Sequence, residues 1–156
     1  MKKLIELDNL TKEFNGQVVL KGIHLDIHEN EFMTLLGPSG CGKTTFLKAL
    51  IYQYSNQTLS IDEQVITDKN KEDYLLNYVS YIDQFGTFFE NMKIREHFEF
   101  ISQLKNQGFD QDKMLEMLHL VRLDNIDLSY FPSSLSIGQR KRFLIALAMY
   151  KDASII

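Results

Sequence analysis

Apolar and polar residues alternate from Leu4 to Asp8, and alternate again through VVLKGIHLDI, within Gln17 to Ile27. A period of two belongs to a strand with one face in a core and the other in water, so the first thirty residues predict two half-buried strands at a sheet edge. Asn15-Gly16 between them is the residue pair that a tight hairpin turn with positive φ favours. FMTLLG, Phe32 to Gly37, shows no alternation. It is continuously apolar and ends in glycine, which predicts a strand covered on both faces. A helix is predicted after it, from Lys43 to about Ile51.

Short strands are predicted around Leu59 to Ile61 and Tyr78 to Ile82, with the polar TDKNKED (Thr67 to Asp73) between them as loop and helix start. From Ile94 the period changes. Ile94, Phe98, Ile101 and Leu104 fall at helical spacing, and after a turn at NQGFDQD a second helix, capped by Asp110, carries Met114, Leu115, Met117, Leu118 and Val121. YFPSS (Tyr130 to Ser134) closes this helical block at Pro132. One more helix is predicted from Gly138 to about Tyr150, followed by KDASII, whose β-branched end has the look of a strand being entered.

Composition adds limits. The chain has 156 residues, 44% of them hydrophobic and 24% charged, as in an ordinary globular domain. The net charge of −4 gives no electrostatic reason to expect a nucleic-acid partner. The single cysteine, Cys41, excludes an internal disulfide. Glu6 and Asp8 interrupt any signal-peptide core, and the apolar run Phe143 to Tyr150 is far short of the roughly 20 residues that a membrane span requires.

The chemistry is concentrated in GPSGCGKTT, Gly37 to Thr45, which satisfies G-x-x-x-x-G-K-[ST] between a predicted strand and a predicted helix. Gly37, Gly40 and Gly42 let the backbone curl so that successive N–H groups face one anion, with Pro38, Ser39, Cys41 and Thr45 completing the loop. Lys43 is placed to reach the β- and γ-phosphates, and Thr44 to put a hydroxyl on Mg²⁺. Cys41 has two readings, a small residue at a free loop position or a thiol activated by Lys43 and the helix amino end.

LSIGQRKRFLIALAMY starts with Ser136 and has Gln139 three residues later, a capping box. The same geometry also offers the Ser136 hydroxyl and the Gly138 N–H to a phosphate, near Arg140 and Arg142. His24, Asp26 and His28 share one strand face and are of metal-ligating type, but Ile23, Leu25 and Ile27 fill the other face, which favours a solvated outer face.

Phosphate loop, glutamine segment and LSxGQ occur in one order at compact spacing, and with them the chain resembles the ATP-binding-cassette (ABC) family of ATPases over nearly its whole length. The resemblance implies an α/β P-loop NTPase core with an antiparallel β subdomain and an inserted helical subdomain. Residues 1–87 and 133–156 would form the nucleotide-binding core, and residues 88–132 the helical subdomain. LTKEFNGQVVLKGIHLDI resembles the family's opening strands, with Phe14 in place of the aromatic that stacks on adenine. YIDQFGTFFENMKIREH resembles the Q-loop, giving Gln84 the position that senses Mg²⁺ and the transport partner. LSIGQRKR resembles the signature sequence, so Ser136, Gly138 and Gln139 would meet the ATP of a second, head-to-tail subunit, although Ile137 stands where the family usually has glycine.

From the resemblance follow ATP and Mg²⁺ as cofactors, a transmembrane permease as partner, and a place at the cytoplasmic face of the membrane. No nucleic acid is expected. The alternatives are a non-transport ABC ATPase and a catalytically silent nucleotide-binding module. Gln84 and Ser136 are 52 positions apart, and the segment between them carries two short amphipathic helices without sustained heptads, which favours transport. MKIREHFEF resembles subunits encoded apart from their membrane component, including exporters of peptides and antimicrobial compounds. KDASII resembles the beginning of the strand that in the family ends in an Asp-Glu pair, so the chain is expected to be C-terminally incomplete and to bind ATP without hydrolysing it. Asp152 precedes that strand and, at about 3.3 Å per residue, lies roughly 13 Å from its far end, too far to replace the missing ligand.

Overall fold

The computed structural model describes residues 2–54, 58–83 and 86–156. By contacts the chain divides into two compact units, Met1–Tyr74 and Leu75–Ile156.

The first unit is built on a four-stranded antiparallel sheet in the order β2-β1-β3-β4, with β1 Lys3–Phe14, β2 Gln17–His28, β3 Thr58–Ile61 and β4 Gln64–Val65. The hairpin predicted at Asn15-Gly16 forms, with φ of 50° and 81° at the two turn residues and Phe14 paired to Gln17. β1 runs further than its alternating pattern predicts because it contains an irregularity: the register shifts between Leu7 and Leu10, where Asn9 adopts φ 50° opposite the hairpin partner strand. The extra residue turns Leu10 back to the side already occupied by Ile5 and Leu7, and all three are buried. A second tight turn, Asp62-Glu63 with φ 47° and 66°, joins β3 to β4.

Helix α1, Lys43–Leu50, buries Phe46 and Ala49. Helix α2, Lys71–Asn77, buries Tyr74, whose hydroxyl donates to the Leu50 carbonyl at 2.6 Å. Burial raises the pKa of that phenol well above its ordinary value.

The strand predicted at Phe32 to Gly37 is not formed. Residues 31–38 carry no regular structure, and Phe32 and Leu36 are 94% and 84% exposed. A run of apolar residues becomes a strand only where another strand takes up its N–H and C=O groups, and among the described residues no strand pairs with this one. The strand predicted at Tyr78 to Ile82 is reduced for the same reason to one parallel bridge, Val79 to Ile155, with Ser80 N–H donating to Ile155 O at 2.8 Å and Ile155 N–H to Tyr78 O at 2.9 Å. The strand-like end of the chain thus does pair, over a single residue.

The second unit holds α3 Ile94–Leu104, α4 Gln111–Leu120, a 3₁₀ turn at Pro132–Ser134 and α5 Ile137–Tyr150. Asp110 caps α4 by accepting from Lys113 N–H at 2.9 Å, as predicted. Pro132 heads the 3₁₀ turn, where its missing N–H costs nothing. Ile94, Phe98, Met114 and Phe143 are fully buried, and the Phe143 ring packs against Phe88 (5.4 Å), His97 (5.6 Å) and Phe98 (5.8 Å). Tyr150 at the end of α5 ties the three helices together: its hydroxyl pairs with Ser102 Oγ at 2.9 Å and accepts from Asp110 N–H at 3.1 Å.

His97 sits inside this aromatic cluster. Its Nδ1 lies 2.7 Å from the Lys93 carbonyl and therefore carries the proton, while Nε2 is buried without a partner. Burial lowers its pKa from the ordinary 6.5, against the opposing pull of the Lys93 carbonyl and Glu96. The folded state keeps the ring neutral, whereas the unfolded chain takes up a proton below about 6.5. The stabilising contribution is therefore whole above that pH and is lost as pH falls below it. Thermal melts followed by far-ultraviolet circular dichroism should show stability falling between about pH 7 and about pH 5, and His97→Phe should flatten that fall.

Candidate functional site

Gly37 to Thr45 form a bend that turns into the first turn of α1. Gly40 and Gly42 have φ of 81° and 98°, a region that residues with a Cβ rarely enter. Gly42 is also hemmed in from behind: a Cβ there would lie 3.1 Å from the side chains of both Val19 and Leu20 and 3.3 Å from the Val19 carbonyl. β2 is thus the wall that fixes where α1 starts. A Cβ at Gly37 would lie 2.7 Å from Cys41 Sγ, so the two ends of the bend close on each other.

The amino end of α1 has Gly42 as its N-cap and no side-chain capping hydrogen bond. The first N–H groups of a helix lack intrahelical acceptors and carry the positive end of its dipole, so an uncapped helix start within a glycine bend is an anion site. Lys43 folds over that bend, its Nζ donating to Gly37 O at 2.8 Å and Pro38 O at 2.7 Å, with Cys41 Sγ at 3.8 Å. The ammonium is held at the mouth of the cradle by two weak neutral acceptors. A phosphate, being charged, makes the stronger hydrogen bonds. Thr44 is exposed on the first turn, where its hydroxyl can join a metal carried in with a phosphate, and Ser39 and Thr45 stand on either side. These residues fit Mg-nucleotide: three glycines without side chains, free helix N–H groups, one lysine and one hydroxyl.

Phe14 ends β1 beside the hairpin turn, half exposed, its ring edge-to-face with Tyr54 at 5.9 Å. Gln84 lies outside the described residues. The predicted second anion site is at the start of α5, where the capping box is complete: Gln139 N–H donates to Ser136 Oγ at 3.3 Å and Ser136 N–H to Gln139 Oε1 at 2.9 Å. Gly138 is exposed, with nothing within 4 Å of where a Cβ would be, and Ile137 is 77% exposed. Arg140 lies 3.6 Å from the Glu90 carboxylate and 5.5 Å from the centre of the Phe88 ring, while Arg142 is exposed. This segment and the phosphate loop belong to different units.

His24, Asp26 and His28 turn outward to separate partners: Asp8, Lys3 at 2.9 Å and Glu31 at 3.4 Å respectively. No group of three or more His, Cys, Asp or Glu able to hold a metal occurs among the described residues. No helix among them is long and apolar enough to cross a membrane.

An α/β fold with a glycine bend opening a helix defines a nucleotide-binding class of domain, and comparison with known proteins narrows it. The family profile described as ABC transporter matches residues 20–156, and the chain belongs to that family. It is 37% identical over 159 residues to the spermidine/putrescine import ATP-binding protein PotA of Clostridium novyi, and 33% identical over 157 residues to PotA of Mycoplasma mycoides. These alignments cover 99% and 98% of the chain but only 45% and 44% of the two relatives, so the chain spans less than half the length of the curated relatives it matches. A bacterial ABC transporter cassette solved in dimeric form superposes with TM-score 0.83 at 25% identity, over 96% of this chain and 71% of that one.

The fold is therefore of the ABC ATPase kind, as the sequence motifs predict. The curated relatives are named for import, which lends no support to the exporter resemblance of MKIREHFEF. A nine-residue helix start is too short to carry transport direction.

The cradle geometry predicts that Cys41, exposed next to Lys43, reports on occupancy. Saturating Mg-ATP should slow alkylation of Cys41 several-fold, measured by mass spectrometry of the labelled chain. Equal labelling rates with and without nucleotide would remove the site.

Proposed function

We propose that this chain binds Mg-ATP through Gly37 to Thr45 and serves as nucleotide-binding part of the ATP-binding subunit of an ABC importer, with polyamines as the transported class. The observation that carries the reading is the uncapped start of α1 within the Gly40–Gly42 bend, crossed by Lys43. The backbone N–H groups there would take the phosphate oxygens and Lys43 the outer phosphates. Thr44, together with Gln84 of the Q-loop segment, would hold Mg²⁺, which neutralises charge on the phosphate tail when bound. Phe14 would take the base on its exposed ring. The names of the curated relatives support import and polyamines.

In the same reading two copies associate head to tail, with Ser136, Gly138 and Gln139 of one facing the ATP of the other. That a cassette of similar fold is solved as a dimer supports association of two copies. The Ser136 hydroxyl then has a second task beyond its capping bond, which a hydroxyl with one donor and two lone pairs can perform. A membrane permease would engage residues 88–132, the proposed helical subdomain. There Phe89 and Leu104 remain exposed beside a cleft also lined by Thr87, Phe100 and Ile101. The subunit would work at the cytoplasmic face of the membrane through that partner. Asp152 has no part in the proposed site, being drawn towards Lys113 at 3.7 Å.

Titration calorimetry of the full chain with Mg-ATP should show saturable binding that Lys43→Ala weakens by about tenfold or more, the scale of a lost charge-assisted pair. Absence of heat from the wild-type chain would end the reading. The transport assignment is tested separately: cells relying on this gene should lose uptake of labelled spermidine when Lys43 is replaced by Ala, and unchanged uptake would reject it.

A further inference from the structure

The hairpin of β1 and β2 reaches the back of the phosphate loop, since Val19 and Leu20 are the residues that wall in Gly42. Phe14 pairs with Gln17, two residues before that contact, and is 42% exposed. Phe14 has company. Tyr54, half-buried just beyond α1, sets its ring edge-to-face against Phe14, centroids 5.9 Å apart and planes at 70°. Lys12 shares a strand face with Phe14 by its two-residue spacing, and its Nζ lies 4.3 Å from the Tyr54 ring centre and 5.7 Å from that of Phe14. Both distances are within cation–π reach.

We propose that Tyr54 and Lys12 are positioning residues for the base end of the nucleotide site, holding the Phe14 ring so that one face stays free for a purine. The proposal rests on the reading of Gly37 to Thr45 as the triphosphate cradle. Phe14 carries no hydroxyl with which to anchor itself, and an exposed ring at a strand end turns about two side-chain torsions. Fixing it before the ligand arrives removes that entropy cost from binding. The positive edge of one ring against the negative face of the other supplies the fixing force, and the ammonium beside Tyr54 adds to it. Tyr54 therefore acts through Phe14, and its effect belongs to ligands that bring a base.

The test compares Mg-ATP with Mg-tripolyphosphate, which has the phosphates and no base, by calorimetry on the full chain. Tyr54→Ala should weaken Mg-ATP about three- to tenfold and leave tripolyphosphate within about twofold of wild type. Tyr54→Phe should restore ATP binding, because the edge contact needs no hydroxyl, and Lys12→Met should reproduce part of the loss with ATP alone. Wild-type ATP affinity in Tyr54→Ala overturns the proposal, and so does an equal loss for both ligands, which would mark a general structural role. If the wild-type chain binds tripolyphosphate as tightly as ATP, the base platform fails while the cradle stands. If it binds neither, the cradle itself fails.

Discussion

A helix whose amino end has no side-chain cap is held open here by glycine, and the proposed nucleotide site rests on that constraint. At Gly42 the backbone enters the left-handed region with β2 packed behind it, so neither a side-chain cap nor any Cβ fits. The helix start at Lys43 is therefore both fixed in place and electrostatically unsatisfied. α5 makes the contrast: its first turn is closed by the reciprocal bonds of Ser136 and Gln139. Of these two helix amino ends, one is left open by its glycines and the other is closed by its own capping box, beside an exposed glycine.

The antiparallel sheet matters to the site because it supplies the wall. Its bulge at Asn9 keeps Ile5, Leu7 and Leu10 on one buried side, and the tight turn at Asn15-Gly16 then returns the chain so that Val19 and Leu20 arrive behind Gly42. The same turn sets Phe14 opposite Gln17, two residues before Val19. In the proposed nucleotide site one hairpin would serve both ends of the ligand, the phosphates by closing off the back of the cradle and the base by presenting a ring.

The second unit stands on aromatic packing about Phe143 and on the hydroxyl of Tyr150, which links α3, the α4 start and α5. A neutral histidine among those rings makes the unit sensitive to acid from within its core.

Features whose physics closes within a few residues could be read from the chain alone: the hairpin at Asn15-Gly16, the Asp110 and Ser136 caps, the amphipathic α3 and α4, and the glycine-lysine loop. Each is a local bargain between side chain and backbone, so spacing suffices. Phe32 to Gly37 could not be read in this way, because an apolar run takes the form of a strand only when a neighbour distant in sequence pairs with it. The folded-back Lys43, the wall behind Gly42 and the meeting of Tyr54, Lys12 and Phe14 were likewise settled in three dimensions. Tyr54 is forty residues of chain from Phe14, and no periodicity connects residues that only sheet pairing and a helix-long detour bring within van der Waals reach.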